Sequence, residues 1–382
     1  MNAFEGSLIQ NAIYIAGQAE WPVEAADWER AAEAVLDPGA FGYIAGGAGG
    51  EATMRANLDA FERRRLRPRM LAGNTRRDLS VNVLGTRSPS PFFLGPVGVL
   101  SIAHESAEVG AARGAAAAGV PFVLSSAASS TIEDVAEAAG DAPRWFQLYW
   151  INDRDVAASF VRRAEAAGYA AIVVTLDTPT LGWRPRDLRH AYLPFIRGEG
   201  CAQFFSDPVF RAKLDEPPEE DMLTAAATML STFPNLGLTW DDLDWMREQT
   251  TLPLLVKGIL RGDDALLARE HGVDGIVVSN HGGRQVDGAV AALDALVEVR
   301  EALGPDYPLL VDGGVRRGAD VVKALALGAD AVLIGRLYAY ALAVGGAAGV
   351  EAAIRQLLAE VDLTLALCGG VSVRELDGSL LA

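Results

Sequence analysis

The sequence predicts a closed barrel of eight parallel strands, each followed by a helix, with a helical N-terminal extension and a long insertion after the fourth strand. Three observations carry this. Continuous apolar runs recur eight times: PFFLGPVG (91–98), FVLSS (122–126), FQLYW (146–150), AIVVTLDT (171–178), LPLLVKG (252–258), GIVVSN (275–280), PLLVDGG (308–314) and AVLIGR (331–336). Runs that are continuous rather than alternating are the signature of parallel strands buried on both faces. The stretches between them, such as ESAEVGAARGAAAAG, DRDVAASFVRRAEAAG and RGADVVKALALG, are Ala-rich, carry charge on one face and end in Gly, as helices do. Eight units exceed what an open doubly wound sheet usually holds, and no GxGxxG follows the first run, so the TIM barrel is favoured over a dinucleotide-binding sheet.

Taken in order, residues 1–90 precede the first strand, and WPVEAADWERAAEAVLDPGAFGYIAGGA reads as helix up to Pro38. The GGAGG at 46–50 follows no strand-like run and reads as a loop. Between the fourth and fifth strands lie residues 179–251, a stretch of 73 residues. An insertion at that point sits on the catalytic face of a barrel and is a candidate lid. Its interior, EPPEEDMLTAAATM, is acidic and broken by prolines, which predicts a mobile segment. The whole of 1–382 is read as one barrel domain.

Composition narrows the function. Half of the residues are hydrophobic, enough for a large core, and the formal net charge is −17. Such a charge argues against nucleic acid and anionic membrane surfaces, which demand clustered Lys and Arg, so an anionic ligand must be held by a few local arginines. Cys201 and Cys368 form no CxxC pair, which points away from a disulfide framework and from zinc. The N-terminus lacks a secretory pattern, and the longest uncharged apolar run, 337–350, has 14 residues, short of a bilayer. A cytoplasmic protein without a metal is expected.

In a barrel of this kind the C-terminal strand ends converge on one site. Here they carry Pro96 and Gly98, Ser125, Gln147 and Tyr149, Thr175 and Asp177, Lys257, Ser279 with His281 and Arg284, Asp312 with Gly313 and Gly314, and Gly335 with Arg336. Every strand after the first ends in a group that can hydrogen-bond or ionise, more than a purely structural barrel needs. The last two ends, DGGVRRG and IGR, pair exposed backbone N–H groups with arginines, as phosphate sites do. Ser125, Gln147, Thr175, Ser279 and Lys257 suit a planar heteroaromatic ring that gains negative charge on reduction. A flavin phosphate satisfies both halves. His281 can meet Asp177 across the barrel mouth as a base oriented by a carboxylate, and Arg184 with Arg284 provides two cations for a substrate carboxylate. Together these specify oxidation of a 2-hydroxy acid.

The motifs SNHGGRQVDG, LVKG, VDGGVRRGADVVKALALGADAVLIGR, FQLY, TLDTPTLGWRPRD and GYIAGGA, spread over about residues 30–370, resemble the FMN-dependent family that oxidises 2-hydroxy acids, which includes glycolate oxidase, lactate oxidase, mandelate dehydrogenase and lactate 2-monooxygenase. GWRPRDL, DPVF and LTWDDLDW in the insertion look most like the extended fourth loop of the monooxygenase. The resemblance implies His281 as base, Asp177 as its partner and Tyr149 as the phenol on the substrate hydroxyl. It implies Tyr43, Arg184 and Arg284 on the carboxylate, and Lys257 at the flavin N1 and O2 side, with Pro96, Ser125, Gln147, Thr175 and Ser279 around the ring. Asp312, Gly314, Arg316, Gly335 and Arg336 would hold the ribityl chain and phosphate of FMN. It further implies oxygen as acceptor and a symmetric tetramer or octamer.

One position departs from the pattern. Two residues after Ser125, glycolate oxidase carries tryptophan and lactate 2-monooxygenase leucine, and this chain has Ala127. The smaller side chain enlarges the pocket toward substrates bulkier than lactate, aryl groups included. Gly98 also opens space near the ring, as in mandelate dehydrogenase-like sequences. The expected outcome is oxidative decarboxylation of the 2-hydroxy acid to a shortened acid, with release of keto acid and peroxide as the alternative. A quinone-linked membrane dehydrogenase would want a basic or apolar anchor in the insertion, which is acidic instead. A non-catalytic barrel would have lost His281, Arg284 or Lys257.

Overall fold

The computed structural model describes residues 5–382. Two short strands, β1 (Val81–Val83) and β2 (Thr86–Ser88), form an antiparallel hairpin, and eight parallel strands close into a barrel. The barrel strands are β3 (Phe92–Leu94), β4 (Phe122–Ser125), β5 (Arg144–Tyr149), β6 (Ile172–Thr175), β7 (Leu254–Ile259), β8 (Gly275–Val278), β9 (Leu309–Val311) and β10 (Ala331–Ile334). Each predicted apolar run supplies one of them. Closure is made by β10 pairing with β3 through Val332–Phe92 and Ile334–Leu94.

The strands are short and almost wholly buried, with Phe92, Phe93, Trp145, Phe146, Ile276 and Leu310 fully excluded from solvent. Each such large side chain contributes roughly 1.5–3 kcal/mol of burial free energy, so the barrel interior is a packed core rather than a channel. The intervening helices begin where their sequences allow capping. Thr131 accepts from Asp134 N at the start of Ile132–Ala139, and Asp153 accepts from Val156 N at the start of Arg154–Ala166.

The N-terminal extension differs in detail from its expected form. The chain does turn at Pro38, but a further helix, Pro38–Ala45, starts there with proline in its first turn and the Asp37 carboxylate accepting from Gly39 N and Ala40 N. Proline stops one helix and opens the next because its missing N–H costs nothing in a first turn. The β1–β2 hairpin was not anticipated. Thr86 accepts from Trp145 Nε1 at 2.8 Å, and Leu84 packs by Gly275, so the hairpin covers the N-terminal strand ends, opposite the functional face.

Residues 179–251 fold back over the C-terminal strand ends as short helices. The acidic interior that reads as mobile contains the helix Met222–Ser231. Asp221 caps it by accepting from Thr224 N, and Ala225, Ala226 and Met229 are buried beneath it. Acidic and proline residues lead into a helix whose apolar face has a partner, and that face decides its structure.

The last helix, Arg336–Leu367, is long and apolar enough by length and composition to cross a membrane. It bends at Gly345 and Gly346 and packs on the helices Ala107–Ala118 and Ala25–Val35, with Leu342, Val350 and Val361 wholly buried in protein. Gly346 takes φ +55, and the Trp21 ring fills the space a side chain on Gly345 would need. The bend is therefore built in by glycine.

Candidate active site

The polar strand ends gather around one cavity. Tyr43, Pro96, Gly98, Ala127, Tyr149, Arg184, Lys257, His281, Arg284, Asp312, Gly314, Arg316, Gly335 and Arg336 all line it. Ser125, Gln147, Thr175, Asp177 and Ser279 do not line it. They are buried or nearly so immediately behind it and act through the hydrogen bonds described below.

The stretch SNHGGR forms a tight turn after β8. Ser279 Oγ accepts from His281 N at 3.0 Å, and the Asn280 side chain accepts from Gly283 N and is held by Asn57 through reciprocal amide bonds of 2.9 and 2.7 Å. His281 itself is left-handed at φ +57, a strained state for a residue with a side chain. Gly283, at φ +77, lies against Met54, where a Cβ would come within 2.7 Å of the Met54 backbone N. The glycines let the turn pass close to the N-terminal extension while His281 faces the cavity.

His281 Nδ1 lies 2.7 Å from Asp177 Oδ1 and 3.2 Å from Thr178 Oγ1, and Thr178 also donates to Asp177 at 2.9 Å. On the other side, His281 Nε2 stands 3.4 Å from the Tyr149 hydroxyl. Asp177 thereby fixes the ring and leaves Nε2 for a ligand. Burial pushes the Asp177 carboxyl up, but Lys257 and His281 outweigh it and hold the group well below the usual carboxylate range. Burial lowers the His281 pKa, with Asp177 opposing the shift, so the ring is neutral at neutral pH and able to accept a proton. Burial pushes the Tyr149 phenol up to about 12, which keeps it a hydrogen-bond donor.

Two arginines stand beside this pair. Arg284 Nη1 donates to the carbonyls of Tyr43 (2.6 Å) and Gly46 (2.9 Å), and its guanidinium lies 5.1 Å from the centre of the Tyr43 ring. Arg184 donates to the Arg284 carbonyl at 3.1 Å and to Gln285 Oε1 at 3.0 Å. The loop at 46–50 completes this side. Ala48 N donates to Gly283 O, Gly49 N to Trp183 O, and Gly50 N to the Asp287 carboxylate, which also caps the next helix through Ala52 N. The glycine-rich loop is thus a clasp that brings Tyr43 to the two arginines.

Behind the opposite wall runs a directed chain of neutral groups. Ser125 Oγ donates to Gln147 Oε1 at 2.9 Å, Gln147 Nε2 donates to Thr175 Oγ1 at 2.8 Å, and Ser125 Oγ accepts from Ala127 N at 3.1 Å. Lys257 Nζ donates to Ser279 Oγ at 2.8 Å and pairs with Asp312 at 3.2 Å and Asp177 at 3.6 Å. Burial pushes Lys257 down, but the two carboxylates outweigh it, so the ammonium stays charged. A fixed cation beside neutral donors and acceptors is what a reducible heteroaromatic ring needs.

A phosphate cradle follows at β9 and β10. Gly313 and Gly314 are left-handed at φ +93 and +92, and Asn57 lies so close that a Cβ on Gly314 would come within 2.6 Å of its carbonyl oxygen. Among the described residues, the N–H groups of Gly313, Gly314 and Gly335 donate to no protein acceptor, although all three residues line the cavity. The helix Arg336–Leu367 begins there with Gly335 as its N-cap, adding the positive end of its dipole to Arg316 and Arg336. Unpaired donors, a helix N-terminus and two arginines fit the phosphate of FMN, and the Lys257 wall fits its ring.

The insertion supplies a part of the site that the sequence did not reveal. Phe195, Phe204, Met229, Leu230 and Phe233 line the cavity from above and make its roof apolar. Thr178, which touches both His281 and Asp177, was also missed. A threonine after an aspartate carries no distinctive signal, whereas the phenylalanines of LPFIR, CAQFF and STFP stand in apolar stretches of the insertion and could have marked the roof.

Residues 32–382 match the family model described as FMN-dependent dehydrogenase. The chain is 46% identical over 344 residues to an FMN-dependent alpha-hydroxy acid dehydrogenase of Penicillium citrinum, covering 89% of this chain and 86% of that protein. It is 42% identical to an L-lactate oxidase of Lysinibacillus sphaericus, covering 98% and 96%. Among solved structures, mandelate oxidase with benzoyl-formic acid superposes with a TM-score of 0.81 at 38% identity, covering 94% of this chain and 98% of that one. An oxidised active mutant of (S)-mandelate dehydrogenase gives 0.85 at 36% identity, covering 94% and 99%.

Proposed function

The chain belongs to the FMN-dependent dehydrogenase family, and from that premise we propose that it oxidises L-2-hydroxy acids with bulky apolar side chains, aryl groups included, to 2-keto acids with oxygen as acceptor. FMN dependence and 2-hydroxy-acid oxidation are common to the family and its named relatives. The observation that carries the choice of substrate is the pairing, in one cavity, of the Arg184–Arg284 corner with a roof of Phe195, Phe204, Met229 and Phe233 over the small wall of Gly98 and Ala127.

In this reading the substrate carboxylate lies on Arg284 and Arg184, where a bidentate pair fixes its orientation. Tyr149 donates to the hydroxyl oxygen. His281 Nε2, the ring nitrogen not engaged with Asp177, takes the hydroxyl proton, and Asp177 steadies the imidazolium that results. FMN, when bound against the Lys257 wall and the Gly314–Arg336 cradle, would supply the acceptor for the two electrons of the Cα–H bond. Lys257 holds positive charge at the ring wall throughout.

A second reading, coupled oxidative decarboxylation, is favoured by one observation: the insertion that resembles the monooxygenase loop roofs the cavity and can retain the keto acid. The primary proposal is tested by mixing the yellow protein anaerobically with (S)-mandelate, L-lactate and glycolate and following loss of flavin absorbance. Mandelate is expected to reduce the flavin at the lowest concentration. Flavin that stays oxidised with all three acids refutes the proposal.

A further inference from the structure

The insertion is tied to the barrel by a ring of hydrogen bonds whose direction can be read from its members. Gly200 N lies 3.0 Å from Ser129 Oγ, Ser129 Oγ lies 2.7 Å from Ser101 Oγ, and Ser101 Oγ bonds the Glu199 carboxylate. An N–H can only donate and a carboxylate only accept, so the ring runs from Gly200 to Ser129 to Ser101 to Glu199, each hydroxyl donating once. It closes because Glu199 and Gly200 are adjacent. Ser101 follows the first barrel strand and Ser129 the second, and both loops are anchored beneath by the buried Glu108 carboxylate, which accepts from Leu100 N (2.9 Å), Ser129 N (3.0 Å) and Ser130 N (2.9 Å).

What the ring holds is the wall of the substrate cavity. Gly200 is left-handed at φ +74, and a Cβ there would meet Val99 Cγ2 at 2.7 Å, Phe195 at 2.9 Å and the Ala127 carbonyl at 3.0 Å. Val99 N in turn donates to Ala127 O at 2.9 Å. Ala127, Gly200 and Phe195 all line the cavity, whereas Glu199 does not.

We propose that Glu199 is a positioning residue for substrate specificity: as terminal acceptor of this ring it holds Gly200 and Phe195 against Ala127 and so sets the size and apolar character of the side-chain pocket. The inference rests on the 2-hydroxy-acid reading above. It assigns Glu199 no part in the chemistry, so its loss acts on substrate fit and not on electron transfer.

The test compares (S)-mandelate with glycolate in steady-state and anaerobic rapid-mixing measurements on the FMN-loaded protein. Glu199→Ala is expected to lower the mandelate-to-glycolate ratio of kcat/KM by about tenfold, the scale on which one apolar pocket discriminates. The loss should arise in the KM for mandelate, with the limiting rate of flavin reduction unchanged. Glu199→Gln, which keeps an accepting oxygen, should restore the ratio. An unaltered ratio in Glu199→Ala, or equal losses for the two acids, overturns the proposal. Should Glu199→Ala lose its flavin on purification, Ser101→Ala removes only the bridging hydroxyl and is read by the same ratio. A wild-type protein reduced by neither acid would instead refute the 2-hydroxy-acid reading itself.

Discussion

His281 Nδ1 lies 2.7 Å from one oxygen of Asp177, while the other oxygen of that carboxylate has no hydrogen-bond partner among the described residues and faces Lys257 at 3.6 Å. One buried carboxylate therefore serves two partners, orienting the neutral base with one oxygen and balancing the lysine with the other.

The pH dependence follows from this sharing. Burial lowers the His281 pKa and Asp177 opposes the shift, so the neutral base form is present above the folded-state pKa and is lost as pH falls through it. The acid limb of kcat/KM should accordingly lie below the ordinary histidine value. Asp177→Asn removes the opposing influence and should move that limb to lower pH, while cutting flavin reduction on the order of 100-fold or more as general-base support is lost. An acid limb that moves upward in the variant would contradict the assignment.

Lys257→Met removes the fixed cation from the ring wall and leaves Asp177 and Asp312 without their shared partner. Negative charge on the reduced ring then lacks its counter-charge, so the bound flavin should show a lower reduction potential in spectroelectrochemical titration. A potential equal to that of the wild type would place the lysine away from the ring.

Arg284 is held by two carbonyls and the Tyr43 ring, which orients its remaining donors toward the cavity. A lysine reaches neither carbonyl in the same geometry and presents a point charge instead of a fork. Arg284→Lys should raise the substrate requirement about 10- to 100-fold, the value of one charged hydrogen bond at roughly 1.5–3 kcal/mol. Unchanged KM values would locate the substrate carboxylate elsewhere.

The barrel and the polar residues at its strand ends were legible because each has a local signature. A strand buried on both faces, such as Ile172–Thr175, is apolar up to its last residue, and the polar groups at and just after the end of such a run mark the functional face. What was not legible depends on distant partners. The Val81–Val83 and Thr86–Ser88 strands are three residues each, and they make sense only once Trp145 reaches Thr86. Met222–Ser231 looked mobile because its acidic lead-in masked an apolar face that buries Met229. The roof phenylalanines join the site through folding of the insertion, which no periodicity announces, and Thr178 joins it only through its bonds to His281 and Asp177.

Ala127 lies against Gly98, where an added Cβ would come within 3.1 Å of the alanine methyl, so the two residues form one thin wall. Leucine at 127 would project into the cavity. Ala127→Leu should shift preference from mandelate toward lactate, with each methylene of lost space worth roughly 1–3 kcal/mol in the ratio of kcat/KM. An identical profile before and after the change would show that Ala127 does not set the pocket.

The fate of the keto acid separates the two readings of the reaction, and it turns on how long the roof stays closed. Oxygen that takes up the two electrons yields peroxide beside the newly formed keto acid. If the keto acid leaves first, both products reach solvent. If Phe195, Phe204 and Phe233 hold it in place, peroxide attacks the keto carbon, and the carboxylate departs as CO₂, leaving the shortened acid and water. The thin Gly98–Ala127 wall favours escape and the folded insertion favours retention. Excess catalase decides between them, because it destroys peroxide only after release. With (S)-mandelate as substrate, the primary proposal expects intact benzoylformate to accumulate in proportion to oxygen consumed. Benzoate forming undiminished in the presence of catalase would assign coupled decarboxylation instead, since that peroxide never reached solvent.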